Sequence, residues 1–258
     1  MGGSAIESAL RHDRILVICG LLLVVVLSWA YLLTGAGTMQ EMGGMLMPMS
    51  SGPWTLGYAL LMLVMWAVMM AAMMLPSAAP MILLYATIAR GRHARGEAAT
   101  LSGIFVSGYI AIWSIFSLGA VAVQFGLEKV ALLSSMMEMT SITLAGVVLI
   151  AAGVYQWTPL KQTCLQRCRS PLEFVMAHWR NGAGGAFAMG VRHGMYCVGC
   201  CWMLMLLIFV GGVMNLVWVA GVAIFILVEK LAPAGHWIGR VAGVLFIGWG
   251  AATLLAAA

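Results

Sequence analysis

The sequence predicts an all-α protein, a polytopic transmembrane helical bundle of seven spans with its N-terminus inside and its C-terminus outside. Three observations carry this expectation. Hydrophobic residues make up 63% of the 258 positions and charged residues only 8%, against roughly 45–50% and about 25% in soluble domains. The apolar residues fall into seven runs, each near the roughly 20 residues a helix needs to cross about 30 Å of hydrocarbon. Lys and Arg then cluster in alternate loops between those runs, as the positive-inside bias requires. Too little polar surface remains for a water-facing fold, and backbone groups in lipid must pair within their own segment, so each run is read as helix.

The first run covers 15–33 and follows Arg11 and Arg14. Its length exceeds the roughly 7–15 residues of a signal-peptide core, so it is expected to be retained as a span. The second covers 54–75. Apolar sequence continues to Ala89, but Pro76 and Pro80 each remove a donor and crowd the preceding turn. The span is therefore expected to end near Pro76, with a short helix at the cytoplasmic surface behind it. Runs at 100–124 and 141–158 follow. A cytoplasmic loop over 159–190 is expected next, with an amphipathic helix around 172–180. The last spans are 195–213, 215–231 and 237–256. No internal repeat and no separate soluble domain interrupts this single domain, 1–258.

Orientation comes from the loops. Arg11 and Arg14 precede span one, and Arg90, Arg92 and Arg95 follow span two. Lys161, Arg167, Arg169 and Arg180 follow span four, while Lys230 and Arg240 flank the turn after span six. The intervening loops carry only Lys129. The formal charge of +5 is thus accounted for by topology. No basic stripe with interleaved aromatics is present, so nucleic acid is not an expected partner, and without a G-x-x-x-x-G-K-[ST] loop neither is a nucleotide. No catalytic residue is singled out, and a binding or transfer protein is expected before an enzyme.

Sulfur carries the remaining signal. Six cysteines in a chain this long do not make the disulfide framework of a small secreted domain. His193, Cys197, Cys200 and Cys201 read H-x3-C-x2-C-C and fall within one arc of about 100° on a helix, which Met189 extends. A thiolate-rich helix end in a reducing compartment suits Cu(I) or Zn(II). Cysteines also pack well between membrane helices, and that reading stands beside the first. Cys164 and Cys168, four residues apart, stack if their stretch is helical. Lys161, Arg167 and Arg169 around them are expected to favour thiolate. If the loop folds back, these thiols join those of span five in a four- or five-sulfur site.

Methionine is the second anomaly, with 22 in the chain. Met62, Met65, Met69 and Met73 share one face of span two within about 80°, and Met70 and Met74 line the adjacent face. Such a stripe serves either as apolar filler or as a column of soft ligands. Met39, Met42, Met45, Met47 and Met49 crowd one outer loop; Met136, Met137 and Met139 lie in another. Thioethers need no deprotonation to bind Cu(I), so Met42, Met45, Met47 and Met49 are candidate outer capture ligands, with a membrane-dipping loop as the competing account. Glu229, beside Lys230 at the inner end of span six, is a pathway acid, an outer partner of the metal ligands or an interfacial charge. The steps Gly190-x3-Gly194 and Gly239-x3-Gly243 indicate close helix packing.

From about Trp54 onward the chain resembles the bacterial family of predicted metal-binding integral membrane proteins, a domain of unknown function. The resemblance rests on Met65-Trp66-Ala67-Val68-Met69-Met70-Ala71-Ala72-Met73-Met74-Leu75-Pro76 and on Tyr155-Gln156-Trp157-Thr158-Pro159-Leu160-Lys161 leading to Cys164, Cys168 and Pro171. It extends through Gly190 to Trp202, with its Cys-Val-Gly-Cys-Cys-Trp core, to Met214-Asn215 and Glu229-Lys230. It implies a multi-span protein that handles metal. The expectation is an inner-membrane protein that binds or transfers a soft metal, Cu(I) first with Zn(II) or no metal as alternatives. Its partners are the lipid bilayer and a metal-donating or metal-accepting protein. A membrane scaffold or accessory subunit, and third a thiol-redox protein, remain open.

Overall fold

Long apolar runs leave the backbone no polar partner but itself, and the chain is accordingly helical nearly throughout. The computed structural model describes residues 3–36, 39–42, 45–48, 54–92 and 95–257. Helix α1 (Gly3–Leu33) leads into an antiparallel hairpin of β1 (Met39–Met42) and β2 (Met45–Pro48), with Met39 opposite Pro48 and Met42 opposite Met45. Then come α2 (Leu56–Arg92), α3 (Arg95–Lys129), α4 (Ile142–Tyr155), α5 (Pro159–Arg169), α6 (Pro171–His178), α7 (Gly182–Gly211), α8 (Leu216–Leu231) and α9 (Gly235–Ala256). Helix α2 packs on α1 and α3, α3 on α7, and α4 on α9; α5 lies across α7 and reaches α8.

Four helices, α2, α3, α7 and α9, are long and apolar enough to cross a membrane, and α4 with α5, bent by 64° at their junction, makes a fifth candidate. At about 1.5 Å per residue, α4 alone rises about 21 Å and α8 about 24 Å, short of the roughly 30 Å of a hydrocarbon core. The apolar part of α1, Val17–Leu33, is similarly short. Side-chain placement reverses that of a water-soluble domain. Val123, Val147, Val217, Ile224, Leu245 and Trp249 are exposed, whereas Gln124, Gln156, Lys161, His193, Glu229 and Lys230 are buried.

Close helix approach follows from small residues. A Cβ on Gly190 would collide with the carbonyl oxygen of Phe105, and one on Gly108 with that of Phe187, so α3 and α7 touch backbone to backbone. Gly153 and Gly243 do the same for α4 and α9. Both glycine steps singled out in the sequence lie at such contacts: Gly194 faces Ile112, and Gly239 faces the Glu229 carboxylate.

Three boundaries differ from expectation. Span two does not stop at Pro76, because α2 runs on through Pro80 to Arg92. In that turn the Ser77 hydroxyl and the Tyr109 hydroxyl both donate to the Met74 carbonyl, at 2.9 and 3.2 Å. Both bonds converge on the turn that holds Pro76, and the second fastens it to α3. The expected loop over 159–190 is α5, α6 and the first turns of α7; Pro159 and Pro171 each sit in the first turn of a helix, where a missing N–H costs nothing. The expected span 195–213 therefore begins much earlier, at Gly182, and Gly190 and Gly194 along the helix admit α3. The expected amphipathic helix at 172–180 is α6, and the expected outer loop at 39–49 contains the hairpin.

Candidate metal centre

The methionine face of α2 turns inward. Met62, Met65, Met69, Met70, Met73 and Met74 are all between 0 and 1% exposed, so none is a lipid-facing filler. At one end of this column the Gln124 amide, on α3, donates to the Met62 sulfur at 3.3 Å and to Glu128 Oε1 at 2.8 Å. Its carbonyl accepts from Trp66 Nε1 at 2.8 Å. At the other end stands Met74, whose Sδ lies 3.9 Å from the Cys201 Sγ of α7.

The cysteine face of α7 meets that end. Cys197, Cys200 and Cys201 are buried and, as their spacing predicts, share one side of the helix. The Cys200 and Cys201 thiols both donate to the carbonyl oxygen of Cys197, at 3.1 and 3.0 Å, which keeps all three sulfurs within one turn. Cys197 Sγ is held from two further directions. Lys230 Nζ, from α8, donates to it at 3.0 Å, and the Tyr109 hydroxyl, from α3, lies 3.0 Å away. Lys230 Nζ also donates to Ser77 Oγ at 3.0 Å, which in turn donates to the Met74 carbonyl. A closed ring results: Cys197, Lys230, Ser77, Met74, Tyr109, and back to Cys197.

Helix α5 brings in the remaining thiols. The loop does fold back, for α5 packs on α7, and Cys168 lies near enough to Cys197 and Cys200 for their side chains to interact electrostatically. Cys164 packs on Gly199, where an added Cβ would sit 2.7 Å from its sulfur. The Tyr155 hydroxyl donates to the Gly199 carbonyl beside it. The cations expected to favour thiolate at this pair are engaged elsewhere. Lys161 is ion-paired with Glu229 at 2.8 Å, Arg167 with Glu173 at 3.0 Å, and Arg169 donates to the carbonyls of Glu229, Ala232 and Pro233. The Glu229 side chain is buried, 1% exposed.

His193 and Met189 are buried on the same side of α7. The His193 ring is stacked on Tyr109 and Phe105 and meets Phe174 edge-on, with Nδ1 unpartnered. Among the described residues, no three His, Cys, Asp or Glu side chains are arranged to hold a metal ion. The sulfur contacts that do form join one thioether and several thiols. Of the proposed outer ligands, Met42 lies in β1, Met45 and Met47 lie in β2, and Met49 lies outside the described residues. The segment with Met136, Met137 and Met139 is tied to the end of α7: the Met139 N–H donates to the Phe209 carbonyl, and the Val213 N–H to that of Met137.

Three residues of this arrangement were not singled out in the sequence: Lys230 as a partner of sulfur, Tyr109 and Ser77. For Lys230 a signal existed. Neighbouring residues on a helix point about 100° apart, so Glu229 and Lys230 had to find different partners. Tyr109 and Ser77 carry no local signal, being ordinary residues of apolar helices.

The model of the family PpoB2, described as copper chaperone, matches residues 63–253. No curated protein and no solved structure matches the chain. The matched stretch contains the methionine column from Met65, all of α5, the thiol face of α7, and Lys230, and it leaves out α1 and the hairpin.

Proposed function

We infer a function from one premise: this chain belongs to the PpoB2 copper chaperone family. On that premise it is a multi-pass protein of the bacterial inner membrane that binds Cu(I) at the junction of Met74 with Cys197 and Cys201. The column of Met62, Met65, Met69, Met70 and Met73 leads to that junction, and Cys200, Cys168 and Cys164 continue it toward α5. There a soluble or membrane-bound protein gives up or takes the ion. Seven spans, counting α1, α4 with its bend into α5, and α8, put α5 and the thiols on the inner side and the C-terminus outside.

The observation that carries this reading is the Met74–Cys201 contact, the point where the two sulfur-rich faces meet. With metal–sulfur bonds of about 2.3 Å, sulfurs 3.9 Å apart subtend roughly 116° at an ion between them, close to trigonal. Thiolate with thioether is a donor set for Cu(I), and oxygen ligands are absent from it.

The test is copper content of the detergent-purified chain after anaerobic loading with Cu(I), beside a variant with Cys197, Cys200 and Cys201 all changed to Ser. Stoichiometric copper in the parent and its loss in the variant are expected. Copper that survives the three changes overturns the assignment. A Cys168–Cys197 disulfide that forms and reduces reversibly in a chain without metal would favour thiol exchange instead, and a chain with neither would be a scaffold.

A further inference from the structure

Lys230 is the charge that the thiol site leaves unexplained. It is 5% exposed, and an ammonium so placed is costly without compensation. The carboxylate next to it in sequence is spoken for, since Glu229 pairs with Lys161. Among the described residues Lys230 has no carboxylate partner; its hydrogen bonds go to Ser77 Oγ and to the sulfur of Cys197. Cys168, Cys200, Cys201, Tyr109 and His193 are its further electrostatic neighbours, and the Glu229 carboxylate, already neutralised by Lys161, acts on it only at longer range. A fixed positive charge has therefore been built into a pocket of thiols.

We propose that Lys230 makes this site selective for a monovalent over a divalent metal ion. The inference rests on the reading that Cys197 and Cys201 ligate the metal. Two thiolates and Cu(I) sum to one negative charge, Met74 adds none, and the Lys230 ammonium brings the buried whole to neutrality. Two thiolates and Zn(II) are already neutral, so the same ammonium leaves one net positive charge in a low-dielectric interior. One carboxylate, or a third thiolate, among the ligands would restore the balance for Zn(II), but among the described residues no three such side chains are arranged to hold a metal. Soft donors alone do not discriminate, because thiolate binds Cu(I) and Zn(II) alike. Net charge does. Lys230 is thus a positioning residue: it touches Cys197 and not the ion, and acts through the charge it holds 3.0 Å from a ligand sulfur.

The experiment uses the full chain in detergent. Affinities for Cu(I) and Zn(II) are measured by competition with chromophoric chelators for the parent, Lys230→Met, Lys230→Arg and Cys197→Ser, with thiolate-to-Cu(I) charge-transfer absorption as the signature of the site. Lys230→Met is expected to lower the Cu(I)-to-Zn(II) affinity ratio by roughly a hundredfold, the order expected for one unit charge a few ångströms away. Lys230→Arg keeps the ratio, and Cys197→Ser loses the absorption band. An unchanged ratio in Lys230→Met, with Cys197→Ser still losing the band, overturns the selectivity assignment and leaves the copper reading standing. Copper retained with its band in Cys197→Ser overturns the reading beneath it. Should Lys230→Met fail to fold, the parent alone decides with Ag(I) and Cd(II), which share an electron configuration and differ by one charge. Preference for Ag(I) supports the proposal, and equal or stronger binding of Cd(II) overturns it.

Discussion

Lys161 on α5 and Glu229 on α8 are ion-paired at 2.8 Å with 0 and 1% of their side chains exposed. A buried pair of this kind contributes little against an apolar replacement, but removing one member strands the other and costs about 3–5 kcal/mol. Lys161→Met and Glu229→Gln are each expected to lower the melting temperature of the purified chain sharply. Lys161→Met combined with Glu229→Met should recover most of the loss, and thermal unfolding in detergent reads all four proteins. Equal destabilisation by the single and double changes would mean that the pair acts through something other than mutual charge.

Met74 separates packing from ligation. Met74→Leu conserves volume and should cost less than about 1.5 kcal/mol in stability, yet it removes the thioether that lies 3.9 Å from the Cys201 thiol of α7. Cu(I) affinity is expected to fall by at least the roughly 10–100-fold that losing an outer partner costs at metal sites. Met81→Leu, on the same helix and equally buried, serves as the control and should leave copper unaffected.

Cys168 reaches the cluster from a helix that the bundle holds by side-chain contacts. Cys168→Ser should leave copper stoichiometry intact while slowing release to a competing chelator by about tenfold or more, since exchange between soft ligands needs a nearby acceptor thiolate. Stopped-flow transfer from the loaded protein measures it. Loss of stoichiometry would make Cys168 a ligand of the resting site.

The seven-span topology proposed above predicts the side on which the C-terminus lies. A phosphatase fused after α9 should be active, because it folds outside, and a cytoplasm-dependent fluorescent reporter at the same point should be dark. Moving either reporter to the α4–α5 junction should reverse the result.

Composition and run length made the helical class plain, and the spacing of Cys197, Cys200 and Cys201 made their shared face plain. The glycine steps also read correctly, because small residues four apart have few other uses in such helices. What could not be read is what depends on a second helix. Pro76 looked like an end because the Tyr109 hydroxyl that fastens its turn, through the Met74 carbonyl, comes from another helix 35 residues beyond Met74. Periodicity put the methionines on one face of α2 without saying that the face turns inward. Lys230 looked like a boundary charge because a boundary lysine and a buried one have the same flanking sequence. The residue-level resemblance covered the metal-handling class; Lys230's contact with Cys197 needed the fold.

The meeting of Gly190 with the Phe105 carbonyl has a mechanical corollary. Two helices in direct main-chain contact can neither slide nor rotate without a steric collision, so α3 and α7 behave as a single stiff plate. Breathing that frees an ion is therefore expected in the short elements between α4 and α7, where α5 is tied to the end of α8 by a salt pair and three carbonyl bonds from Arg169.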